Sequence, residues 1–118
     1  MDDRSNRNLT KGERKRARQI AGIAWERELA KALRDLDGRF QDWRDGKIDS
    51  FELADTIHRF HDGPNRDLYK LYNALSPEQA TARAVGLRIV AGDEVPEQIR
   101  ETLATSIEFW SSRGFDDK

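Results

Sequence analysis

Apolar residues recur at intervals of three and four along most of this chain, which is the spacing of one helical face. At 100° per residue the first stripe contains Ala21, Trp25, Leu29, Ala32, Leu33, Leu36, Phe40 and Trp43. Thr10-Lys11-Gly12-Glu13 reads as a capping box ahead of it, so the pattern predicts one long helix from about Lys11 to Trp43. Gly38 falls on the solvent side, where it costs about 1 kcal/mol without breaking the helix. At 1.5 Å per residue such a helix is roughly 50 Å long, more than a compact domain of this size is wide. Either its N-terminal turns project or it bends near Asp37-Gly38. The stripe fades before Ala17, which favours projection of the N-terminal turns.

Gly46 is expected to close this helix, and Asp49 or Ser50 to cap a second with Leu53, Ile57 and Phe60 inward. Asp62-Gly63-Pro64-Asn65 reads as a stop before a third helix with Leu68, Leu71, Tyr72 and Leu75 inward. Ser76-Pro77-Glu78-Gln79 is a strong helix start. The helix after it has two apolar faces. One holds Ala80, Ala84, Leu87 and Ala91, the other Ala82, Val85 and Ile89, as expected of a central element packed on both sides. Gly92 is expected to end it. Pro96 opens a last helix lined by Ile99, Leu103, Ile107 and Trp110, and Gly114 is expected to close that. No segment shows sustained alternation, and no repeat or long linker is present. The expected fold is all-α: a single-domain bundle of about five helices over residues 10–114, with a long N-terminal helix and a central Ala-rich helix. Residues 1–9 and 115–118 read as flexible ends.

Composition narrows the setting. A chain of 118 residues can bury one real core, and zero cysteines exclude a disulfide framework and thiolate metal sites. The most apolar stretch, Ala80 to Ala91, is too short to span a bilayer, and no signal-peptide core is visible, so a cytoplasmic protein without membrane partners is expected. Charged residues make up 36% of the chain and the net charge is −1, yet residues 1–18 carry seven basic and three acidic residues. Within that head the run from Lys11 to Arg18, above all Arg14, Lys15, Arg16 and Arg18, could lie along nucleic-acid phosphates. No aromatics are interleaved with it, and base readout needs more than charge. The second and third helices resemble a helix–turn–helix only loosely, without glycine at the expected turn position.

Three other features carry candidate chemistry. Asp55, His58, His61 and Asp62 cluster late in the second helix, with positions 55, 58 and 62 on one side; a histidine-based metal site is the third hypothesis here. The commoner role of such histidines is to complement the helix C-terminus. Asp45-Gly46-Lys47-Ile48-Asp49-Ser50-Phe51-Glu52 resembles the second half of a calcium-binding EF-hand loop, but the first two ligand positions would be Gln41 and Trp43, and an indole cannot ligate calcium. Phe51, Tyr69 and Phe109 lie off the apolar stripes and are candidate anchors for a protein partner or a second copy of the chain. Nucleophile elbows, phosphate loops and facing acid pairs are absent. The expectation is therefore a non-catalytic protein–protein interaction module with no cofactor, with nucleic-acid association through the basic head as the alternative.

Overall fold

The structure is a computed structural model describing residues 8–116, with side chains to residue 113. It is all-α, with no strand among the described residues. Helix α1 spans Lys11–Arg44 without a break at Gly38. Helix α2 (Ser50–Phe60) passes through a π-helical turn (His61–Asn65) into α3 (Arg66–Ala74). Helix α4 covers Pro77–Gly86. A 3₁₀ turn (Gly92–Glu94) leads to α5 (Glu97–Thr102) and α6 (Ala104–Asp116).

Local chemistry fixes the ends. Thr10 and Glu13 form the expected capping box, each side chain bonding the other's amide. Asp49 with Glu52 and Ser76 with Gln79 do the same for α2 and α4. Helix α1 closes in a Schellman motif: the Lys47 amide donates to the Asp42 carbonyl and the Gly46 amide to that of Trp43, with Gly46 at φ 75°. The same motif closes α4, where Ile89 donates to Ala84 and Arg88 to Val85. There the left-handed position is held by Arg88, at φ 62°.

Helix α4 is central, as its two apolar faces require. It packs on α1 on one side and on α6 on the other. Ala80, Thr81, Ala82, Ala84 and Gly86 are all buried. The Thr81 hydroxyl donates to the Ala17 carbonyl of α1 at 3.1 Å. A Cβ added at Gly86 would lie 2.6 Å from the Trp110 Cβ and 2.7 Å from the Ile107 carbonyl oxygen, so α6 approaches as closely as backbone allows.

Several boundaries differ from the sequence pattern. Asp62-Gly63-Pro64-Asn65 is not a stop. Pro64 lacks an amide and crowds the preceding turn, and the wider π turn accommodates it while the rod continues. Helix α4 ends at Gly86 rather than Ala91, and Gly92 opens the 3₁₀ turn instead. The last helix is broken at Leu103, and α6 runs through Gly114 to Asp116. Leu9 is buried in the core, so the ordered body begins before Thr10; residues 1–7 and 117–118 of the expected flexible ends lie outside the described residues.

The largest correction concerns which end of α1 projects. The core gathers Leu9, Ala17, Ile20, Ala24, Ala82, Ala84, Val90, Val95, Ile99 and Leu103, so the N-terminal turns of α1 lie inside the body. The C-terminal half projects instead, with α2 folded back along it. Two faces of α1 explain this. Ala17, Ile20 and Ala24 turn towards α4, while Trp25, Ala32, Leu36 and Phe40 turn towards α2 and α3, about 120° away around the helix. The molecule is correspondingly long, 65 × 28 × 21 Å, with a radius of gyration of 17.8 Å. A compact chain of this length would have a radius of about 13–14 Å.

Candidate interaction surface

The projecting hairpin, formed by α1 beyond about Glu28 and by α2, is a single layer of two helices. Two helices bury a stripe only against each other, and here that stripe is poorly covered. Leu53 is the one buried side chain of α2. Leu33 is 46% exposed, Trp43 41%, Ile57 40% and Phe51 87%. Leu33 and Trp43 were expected in the core stripe; among the described residues no third helix covers the hairpin, and they remain at the surface.

The hairpin has two unlike flanks. One is a groove of about 560 Å³ with a floor of Ala32, Leu36, Phe60 and Pro64 and a charged rim that includes Lys31, Asp35, Arg39 and Arg59. Leu33 lies about 160° around α1 from Asp35, and Ile57 about 160° around α2 from Arg59. These two side chains therefore mark the opposite flank. At the tip, the Trp43 indole donates to the Ser50 hydroxyl at 3.0 Å, fixing the ring beside the start of α2.

The hairpin joins the body through a polar and aromatic cluster. Arg83 of α4 forks onto Glu28 of α1, at 2.8 and 3.2 Å. The Tyr72 hydroxyl of α3 donates to the same carboxylate at 2.5 Å. Trp25 stacks on Tyr72 with ring centroids 5.5 Å apart, and the Arg83 guanidinium lies 5.9 Å from both the Tyr72 and Trp110 rings. Burial, reinforced by the bond to Glu28, raises the Tyr72 phenol above the ordinary tyrosine range. By periodicity alone, Tyr72 and Trp110 read only as core. Their polar partners Glu28 and Arg83 lie 55 positions apart and carry no local motif.

The residues singled out from the sequence do not form one site. Tyr69 stands exposed with its ring edge-on to Trp25 at 6.1 Å. Phe109, on α6, is exposed, packs edge-on to Trp110 at 5.3 Å and lies under Arg113. Phe51 opens α2 at the hairpin tip. The off-stripe aromatics are thus surface residues, as their positions imply, but they sit on three helices.

The basic head is partly committed to its own fold. Arg14 pairs with Glu78 at 3.4 Å, and Arg16 donates to Gln19 and to the Glu94 carbonyl. Lys15 and Arg18 are exposed. The continuous α2–α3 rod removes the turn of a helix–turn–helix. In the histidine cluster, His58 pairs with Asp62 at 3.1 Å, Asp55 pairs instead with Arg59, and His61 faces Asn65. Among the described residues no group of three or more His, Asp or Glu side chains is placed to hold a metal. In the segment resembling half an EF-hand loop, Asp49 and Glu52 serve as a helix cap. No helix among the described residues is long and apolar enough to cross a membrane.

No protein-family model, curated protein or solved structure matches the chain.

Proposed function

We propose that the protein acts by binding another protein rather than by chemistry, with the projecting hairpin as its binding element. The exposure of Leu33 and Ile57, on the flank opposite the groove, carries this reading. A single-domain helical protein gains stability by folding such residues inward. Here Leu33 and Ile57 stand 46% and 40% exposed on an arm that the rigid α1 holds away from the body. Exposed apolar residues grouped on one flank, with charge around them, are the usual composition of a protein-binding surface. The absence of cysteine supports a cytoplasmic setting for that binding.

Two measurements test it. A photo-crosslinking residue in place of Ile57, in cells that make the protein, is expected to give a discrete adduct, and one in place of the exposed Gln98 of α5 none. The paired substitution Leu33→Gln/Ile57→Gln is expected to change stability by less than about 1 kcal/mol, because both side chains already face water. Absence of any adduct at position 57, or a loss of several kcal/mol, would refute the reading.

A further inference from the structure

The charges around the Leu33–Ile57 flank identify the occupant, given the reading that this flank binds protein. Counted at 100° per residue, Glu26, Leu33, Asp37 and Arg44 lie within about 40° of one another on α1, and Arg34 lies about 60° beyond Asp37 on the same side of the helix. Along the helix the charges of Glu26, Arg34, Asp37 and Arg44 alternate in sign, beginning with an acid and ending with a base. Such a string read backwards is its own complement. Glu26 and Arg44 are equidistant from position 35, and Arg34 and Asp37 straddle it. Two copies of α1 laid antiparallel about a two-fold axis near Asp35 therefore set Glu26 against Arg44 of the other copy and Arg34 against Asp37, each twice. Parallel copies in register would set like against like.

At home Glu26 interacts with the charge of the neighbouring Arg27, but bonded pairing is scarce for all four. Among the described residues, Glu26, Arg34 and Asp37 make no ion pair and no side-chain hydrogen bond, and Arg44 donates only to the neutral Gln41. The charges that hold the body together do have such partners, as Arg14, Arg27 and Arg83 show.

We infer that the occupant is a second copy of this chain, packed antiparallel across the Leu33–Ile57 flank so that two hairpins complete a four-helix arrangement. The span from Glu26 to Arg44 is about 27 Å at 1.5 Å per residue, and two helices are about 20 Å wide. Each copy then offers roughly 500 Å², or about 1,000 Å² in total, the lower limit for a specific interface. The complex is a weak, reversible homodimer with two-fold symmetry.

Sedimentation equilibrium of the purified full chain between about 5 and 300 µM tests this, with an expected Kd on the order of 10–100 µM. Ile57→Lys is expected to weaken the dimer about tenfold or more, with helix content and thermal midpoint of the dilute monomer unchanged. Arg34→Asp or Asp37→Arg alone weakens it about five- to tenfold, because each variant places like charges opposite at two symmetric sites. The double variant R34D/D37R restores it to within about threefold. A monomer at every concentration overturns the inference. So does a dimer indifferent to Ile57→Lys or to the single charge variants, or one that the double variant fails to restore. A chain that stays monomeric yet gives a discrete crosslink to a different protein from position 57 overturns the second copy and leaves the proposed function standing. Neither dimer nor crosslink overturns both.

Discussion

Replacing Gly86 by alanine adds one methyl group at the tightest helix crossing in the molecule. The new Cβ would sit 2.6 Å from the Trp110 Cβ, 2.7 Å from the Ile107 carbonyl oxygen and 2.9 Å from the Ser111 amide nitrogen. Two of those three atoms are backbone of α6, so no rotamer change relieves the clash and the helix itself must move. Shifting a packed helix by several tenths of an ångström costs typically 1–3 kcal/mol. Alanine also recovers up to about 1 kcal/mol of helix propensity. With all three contacts under 3 Å, the upper end of the range applies, and a net loss of about 1.5–2 kcal/mol is expected. Gly38→Ala is the matched control. It lies inside α1, six residues before its last, with nothing within 4 Å of the added methyl, so only propensity changes, and a gain of about 0.5–1 kcal/mol is expected. The same chemical change thus has opposite signs at two helical sites. Thermal unfolding followed by circular dichroism should show Gly86→Ala falling by roughly 6–10 °C and Gly38→Ala rising by a few degrees. A neutral or stabilised Gly86→Ala would show that α6 does not approach α4 this closely.

Other consequences are as specific. Arg88 holds a left-handed conformation at φ 62°, so Arg88→Gly should be more stable than Arg88→Ala by about 1 kcal/mol in urea denaturation, a comparison in which both variants lose the same side chain. Glu94 accepts two hydrogen bonds from Arg27 and one from the Ala91 amide; these hold its carboxyl down at about 2, the Arg27 bonds contributing most. A depressed carboxylate stabilises the fold above its unfolded pKa, near 4.3, and that contribution is lost as pH falls towards 2; Glu94→Gln should remove this part of the acid dependence of the thermal midpoint. Tyr72 acts in the opposite direction: its raised pKa stabilises the fold fully below about pH 10 and progressively less above it, and Tyr72→Phe should flatten that alkaline decline.

How far the fold can be read from the chain depends on whether the signal is local. The caps at Thr10 and Ser76 are reciprocal bonds over three residues, and both form as the sequence implies. The central place of α4 was legible because a helix packed on both sides must be small and apolar on both faces. The π turn was not, since Gly63-Pro64 more often ends a helix than widens one. Nor was the end of α4, because its left-handed position is filled by Arg88 where a glycine would have marked it. The projecting end of α1 was hidden for a different reason. The stripe visible in the sequence is the one that faces α2 and α3. The stripe that faces the core is only Ala17, Ile20 and Ala24, set among Arg14, Lys15, Arg16 and Arg18, and its alanines are small because α4 lies so close. The off-stripe aromatics do lie at the surface, as their positions imply. The exposure of Leu33 and Ile57 was not legible, because a stripe shows which face turns inward but not whether anything covers it.

The two faces of α1 connect this architecture to the proposed binding. Had one face served the whole helix, α2, α3 and α4 would have competed for the same side, and a 34-residue helix would have needed partners along its full length. Turning the apolar face by about 120° near Ala24 assigns the N-terminal half to α4 and the C-terminal half to α2 and α3. The two layers then meet at one level of α1, and there Glu28 takes the Arg83 fork from α4 and the Tyr72 hydroxyl from α3. A half-buried carboxylate held by both layers fixes the hairpin's direction, since moving either helix away leaves a desolvated charge unpaired. Beyond that junction, among the described residues, α1 is covered by α2 and the π turn that follows it. A rigid two-helix arm anchored at its base can meet a partner without much conformational entropy to lose, which is the condition under which about 1,000 Å² of interface suffices for weak but specific association.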